Sequence, residues 1–189
     1  SFVGSHATGG HRGAFAARRG DEKLYFRDGD PRGVPWAFDL ASGRWREMPA
    51  SSSEPVPRVG HEMVYIDSLG AVLLYGGGTG TYFDSRCAIA HCPAALLADT
   101  WLFDPQAESW ADADPSGGPG LRFGHAMAYD VVSDQVVLFG GLGIGGVETE
   151  VWAFLGDTWM YDPATNEWSE VSAVGPTPRV LAEMVHDPV

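Results

Sequence analysis

Positive charge is scarce in this chain: twelve basic residues face twenty-five acidic ones over 189 positions, Lys23 is the one lysine, and the formal net charge is -13. Such a surface repels phosphate backbones and anionic bilayers, so nucleic acid is excluded as an expected partner. No window approaches eighteen consecutive apolar residues, and no membrane span is expected. Catalytic signatures are missing too: no HExxH pattern, no Ser-His-Asp order and no pair of catalytic carboxylates stands out. The glycine-rich run 140–146 lacks the Lys-Ser/Thr of a phosphate-binding loop. No catalytic residue, metal or cofactor is therefore assigned. Ser1 is not an initiator methionine and no secretion-signal pattern follows it, so the chain reads as processed or trimmed.

What is plentiful is apolar and turn-forming. Hydrophobic residues make up 44% and aromatic residues 12%, enough to fill a core, while 25 Gly and 13 Pro without a collagen period imply many turns between short strands. The expected class is all-β.

One stretch, Asp99-Thr100-Trp101 to Trp110, recurs with the same pattern from Asp157-Thr158-Trp159 to Trp168, and more weakly from Trp36 to Trp45. Each copy places a second tryptophan nine positions after the first, with an aromatic and an aspartate between them. Upstream of the two strong copies, Arg58-Val59-Gly60-His61 and Arg122-Phe123-Gly124-His125 open one strand, and a second apolar strand ends in Gly76-Gly77 or Gly140-Gly141. A further copy begins at Pro178-Arg179 and ends after a single strand. In the first 35 residues only Leu24-Tyr25-Phe26 reads as a strand nucleus. Self-similarity at this period means an array of one structural unit.

These co-spaced elements resemble the kelch repeat, over roughly residues 57 to 187. The resemblance implies kelch-type β-propeller blades, each of four antiparallel strands, with an incomplete ring within this chain. The expected divisions are 1–56 for a degenerate or partial blade with long loops, 57–115 and 116–173 for full blades, and 174–189 for the first strand of another. In that architecture both faces of a blade are covered, so strands read as apolar runs, the paired tryptophans join blades, and the di-glycines mark close backbone approach or positive φ.

With four strands a to d alternating in direction, the long b–c connections, 78–98 and 142–156, share one face with the starts of the a strands. That face is the expected interaction surface. Arg58, Arg122 and Arg179 open the a strands there, either as guanidiniums that hold a partner's carboxylates or as ion pairs within each blade junction. Tyr82, Phe83 and Trp152 are the aromatics expected in the long connections. His61 and His125 read as hydrogen-bonded core histidines. Cys87 and Cys92 in the longest connection form a disulfide candidate, with free thiols or a metal site using Asp84 and His91 as the other readings.

Three blades do not close a ring of the usual four to eight. The expected partners are therefore a protein, or further blades of the same propeller in a homo-oligomer or elsewhere, and a glycan is the other class considered. The leading function is a non-catalytic interaction or assembly scaffold. The alternative is a kelch-type carbohydrate-binding or galactose-oxidase-like domain. The cysteine placement favours an extracellular or periplasmic location.

Overall fold

A computed structural model of the chain describes residues 6–7, 12–17 and 23–27 as strand backbone, and residues 35–49, 51–79, 95–144, 152–171 and 174–187 in full. Among the described residues there is no helix; all regular structure is antiparallel strand. The first sheet runs β1 (His6–Ala7), β2 (Arg12–Ala17), β3 (Lys23–Arg27), β4 (Trp36–Asp39) and β5 (Arg44–Glu47), each paired with the next. The second has β6 (Glu62–Ile66), β7 (Ala71–Tyr75), β10 (Thr100–Asp104) and β11 (Ser109–Asp112) side by side, with β8 (Gly78–Thr79) and β9 (Ala95–Leu96) paired beyond the end of β7. The third consists of β13 (Ala126–Asp130), β14 (Gln135–Ile144), β15 (Trp152–Asp162) and β16 (Glu167–Val171), and β12 (Arg122–Phe123) pairs with the far end of β14. The inner strands β2, β6 and β13 are neighbours, so the three sheets stand as successive blades of an incomplete propeller ring.

Side-chain alternation explains the doubly buried strands. Met63, Tyr65, Val72 and Leu74 face the first blade, together with Ala37, Met48, Phe103 and Trp110. Their alternates Val64, Ile66, Leu73 and Tyr75 face the third, together with Met127, Tyr129, Val136, Leu138, Tyr161 and Trp168. A strand read from both sides must be apolar at every position, which is why β6 and β7 lack polar alternation.

The repeated aspartate has a local task. Asp39, Asp104 and Asp162 end the third strand of each blade, and each accepts a backbone N–H at 2.7–2.8 Å from two or three residues ahead. The same turns close through a left-handed residue, Gly43, Glu108 or Asn166. The motif's acid is thus a turn former.

Two expectations are corrected. The N-terminal region was expected to supply one strand nucleus before Trp36; it supplies β1 and β2 as well as β3. Arg12-Gly13-Ala14-Phe15-Ala16-Ala17 contains no β-branched residue, so propensity hides a strand that pairing with β3 produces. The span 142–156 was expected to be loop throughout. Instead β14 continues to Ile144 and β15 starts at Trp152, past a register shift between Phe139 and Gly141. Phe2-Val3-Gly4 lies outside the described residues.

Residues 174–187 hold no strand, yet they begin the way the third blade begins. Arg122 accepts from Gly77 N at 2.9 Å and donates to Leu97 O at 3.2 Å; Arg179 accepts from Gly141 N at 2.9 Å and donates to Leu155 O at 3.0 Å. Gly124 N bonds Gly60 O at 2.7 Å, and Leu181 N bonds Gly124 O at 2.6 Å.

Candidate functional site

The long-connection face is built on two copies of one ion-pair arrangement. Arg58 Nε donates to Val56 O at 3.0 Å, its Nη1 to Gly76 O at 3.0 Å and to Asp99 at 2.5 Å, and its Nη2 to the other Asp99 oxygen at 2.8 Å. Arg122 repeats this with Gly140 O at 2.9 Å, Asp157 at 2.9 and 2.7 Å, and Pro119 O. Both arginines are 1% exposed. Of the two readings the sequence left for these guanidiniums, the geometry provides the ion pair within the blade.

Each carboxylate is steered by the tryptophan two residues on. Trp101 Nε1 donates to Asp99 and Trp159 Nε1 to Asp157, both at 2.7 Å. Burial alone raises the pKa of these carboxyls, but the hydrogen bonds and charge of the arginine, reinforced by the indole N–H, outweigh it and hold both below the usual aspartate value. This explains why Asp-Thr-Trp recurs as a unit. In the first copy of the repeat the sequence has Val34, not aspartate, two positions before Trp36.

The di-glycines make room for the same crossing. Gly77 has φ +92° and a Cβ there would lie 2.8 Å from Val59 O; at Gly141, φ is +107° and the Cβ would lie 3.0 Å from Phe123 O. A side chain at either position would strike backbone, so the close approach and positive φ read from the sequence are both present.

His61 and His125 are buried beside these glycines at 1% exposure. Burial, with the nearby Arg122 charge and against the opposing Asp157, pushes the His125 pKa down to about 3, so the ring stays neutral. It meets Tyr75 edge-on at 5.6 Å. The expected hydrogen bond is not what holds His125, because neither ring nitrogen has a hydrogen-bond partner among the described residues. Tyr75 itself donates to Gly120 O at 3.0 Å.

Above this layer Phe123 and Leu142 form a small buried cluster against which Leu96, Trp152 and Val180 pack. Trp152 was expected in a solvent-exposed loop; it lies in β15, half-buried, edge-on to Phe123 at 6.4 Å, because the hairpin continues past the register shift. Leu96 ends one long connection and Trp152 ends the other, so a single apolar cluster anchors both. Sequence reasoning missed Leu96, Phe123, Leu142 and Val180. For Phe123 and Val180 the signal was an apolar residue directly after the repeat arginine, as at Val59; Leu96 and Leu142 carry no such repeated signal.

Arg179 differs from its two counterparts. It is exposed, and among the described residues its guanidinium bonds the Thr177 carbonyl at 3.0 Å and hydroxyl at 3.1 Å and no carboxylate. Tyr82 and Phe83, with Asp84, Cys87, His91 and Cys92, lie outside the described residues. Among the described residues no three His, Cys, Asp or Glu side chains converge as a metal-binding group, and no helix is long and apolar enough to cross a membrane.

Comparison with known proteins places the repeat. The KLHDC2/KLHL20/DRC7 Kelch-repeats domain model matches residues 20–186. Among curated proteins, Mei4-dependent protein 6 of Schizosaccharomyces pombe is 28% identical over 116 residues, 61% of this chain and 15% of that protein. Tip elongation aberrant protein 3 of the same yeast is 25% identical over 170 residues, 74% of this chain and 13% of that protein. The Arabidopsis thaliana serine/threonine-protein phosphatase BSL2 is 29% identical over 153 residues, 77% of this chain and 13% of that protein. The chain thus spans a small part of these relatives. The solved structure of YjhT superposes with a TM-score of 0.55 at 16% identity, over 85% of this chain and 52% of that one. At that identity the likeness concerns the fold.

Proposed function

The chain belongs to the kelch-repeat domain family, and from that premise we propose that it acts as a non-catalytic protein-interaction or assembly scaffold through the face that carries its long b–c connections. Kelch repeats commonly mediate protein interactions. The observation that carries the reading is the shared anchorage of both connections: Leu96 and Trp152 pack into one cluster with Phe123 and Leu142, beside the crossing that Arg58 and Arg122 pin. Variable connections held on a rigid base are what a recognition surface requires.

In this reading Arg58 and Arg122 serve binding by fixing the bases of the connections. Arg179 and the exposed side of Trp152 touch the partner, and Tyr82 and Phe83, which lie outside the described residues, are further contacts in this reading. The test is affinity capture of proteins with the immobilised chain, the Trp152→Ala/Arg179→Ala double variant and an Arg44→Ala control at the rim, followed by a glycan array and metal analysis. A protein held by the chain and the control but lost by the double variant is the expected result. Capture that ignores the double variant, or a specific sugar or copper bound at that face, would overturn the reading.

A further inference from the structure

The face opposite the long connections carries the short turns, and two of these are tied together. The a–b turn of the second blade, residues 67–70, and that of the third, residues 131–134, meet where Ser68 Oγ donates to Asp134 Oδ1 at 2.6 Å. Tyr129 OH donates to the same oxygen at 2.6 Å. Gly70 and Asp134 hold left-handed φ values of +64° and +56°, so these two residues make the chain reversals. Asp130 accepts from Val132 N at 2.9 Å and from Ser133 Oγ at 2.7 Å, which fixes the third blade's turn from its other end.

Turn formation leaves three residues of this face without a task. Leu69, Val131 and Val132 are 42%, 41% and 85% exposed. Aliphatic side chains contribute nothing to such reversals, which Gly, Asn, Asp and Ser supply. Ring geometry does not account for them either. A neighbouring blade packs against the flank of a sheet, whereas a turn tip projects from its end. Apolar residues scattered singly on a surface need no explanation, but here three stand on two turns that a hydrogen bond joins.

The surroundings carry one sign of charge. Residues 59–85 and 123–178 contain no lysine or arginine. Asp67, Asp130 and Asp134 belong to these turns or border them, and His186 Nδ1 lies 3.5 Å from Asp130 Oδ1. Among the described residues the Asp67 carboxylate and Asp134 Oδ2 make no hydrogen bond, so both remain available.

We infer that this turn face is a second protein-binding surface, and that its partner is a basic segment with apolar side chains between its lysines or arginines. Leu69, Val131 and Val132 take the apolar groups, and Asp67 with Asp134 Oδ2 takes the cation through charge-assisted hydrogen bonds. Two hydroxyls hold Asp134 Oδ1, so its other oxygen is presented in a fixed direction and loses little freedom on binding. The net charge of -13 adds a long-range attraction that salt weakens. The surface is separate from Trp152 and Arg179 and stands independently of the long-connection reading.

The test titrates the 189-residue chain with three short synthetic peptides, one alternating Lys with Leu, one Lys with Ser and one Glu with Leu, while amide NMR shifts are followed. The Lys/Leu peptide should bind at least about tenfold more tightly than Lys/Ser, Glu/Leu should not bind, and added salt should weaken the complex. The shifts should centre on residues 67–70 and 130–134 of the unaltered chain, a readout that needs no variant to fold. Asp67→Asn/Val132→Ser, which alters two exposed side chains, should lower the affinity about tenfold, and Trp152→Ala/Arg179→Ala should leave it unchanged. Equal affinity for Lys/Leu and Lys/Ser would mean that charge alone suffices and would overturn the inference. So would the absence of binding, or an Asp67→Asn/Val132→Ser chain that binds as the unaltered one does. Binding lost only in Trp152→Ala/Arg179→Ala would place the peptide on the long-connection face, overturning this inference while leaving that reading in place.

Discussion

Arg122 and Asp157, 35 residues apart in sequence, meet through two hydrogen bonds of 2.9 and 2.7 Å, with the arginine side chain 2% and the carboxylate 25% exposed. The pair ties the start of β12 to the third strand of its own blade. Arg58 and Asp99 do the same one blade earlier.

Removing one partner leaves a charge stranded at the blade junction. Asp157→Ala should cost about 3 kcal/mol, toward the lower end of what breaking a buried pair costs because the carboxylate is partly solvated. Replacing both by apolar residues, Arg122→Met with Asp157→Leu, should cost less than that single change. Urea denaturation of the three proteins gives the comparison, and a double variant weaker than Asp157→Ala would contradict this account of the pair.

Acid should act in two stages. His125 is neutral in the fold, with its pKa down at about 3, and takes up a proton near 6.5 when unfolded, so the unfolded state binds more protons between those values. Stability then falls as pH drops below about 6.5, by up to about 1.4 kcal/mol per pH unit for this one proton. Asp99 and Asp157 have lowered pKa values; their contribution is present above the ordinary aspartate value and is lost as pH falls through the folded ones. Thermal unfolding from pH 8 to 3 should decline early and steepen below about 4. His125→Gln should reduce the early decline, and Asp99→Asn with Asp157→Asn the later one.

Glycines with left-handed φ are not equivalent. Gly43 has φ +65° and open space where a Cβ would go, whereas Gly77 combines φ +92° with backbone oxygen at 2.8 Å. Gly43→Ala should cost about 1 kcal/mol, the strain of the conformation alone. Gly77→Ala should cost about 3 kcal/mol or more, since Val59 O belongs to a backbone crossing that cannot retreat. Equal losses in chemical denaturation would mean that the crossing yields.

Much of this was legible in the chain because a repeat is its own control. Recurrence of Asp-Thr-Trp, of Arg-x-Gly-His and of di-glycine identified the blades, and the apolar runs at Val72 to Tyr75 and Val136 to Phe139 marked strands covered on both sides. The first blade's inner strand was hidden because Arg12–Ala17 contains no β-branched residue. The hairpin that carries Trp152 was hidden because Gly140 to Gly146 reads as a loop, although its first part pairs along β14.

The sequence by itself determined which residues share a structural position, since equal spacing in an array gives equal surroundings: Arg58 with Arg122, Trp45 with Trp110 and Trp168. Only the tertiary structure decided how those positions differ. Two arginines find their carboxylates, while Arg179 has none among the described residues. Two tryptophans are buried against the blade before them, and Trp45 is 48% exposed. The physical reason is that side-chain pattern is a property of the unit, whereas burial is a property of its neighbours.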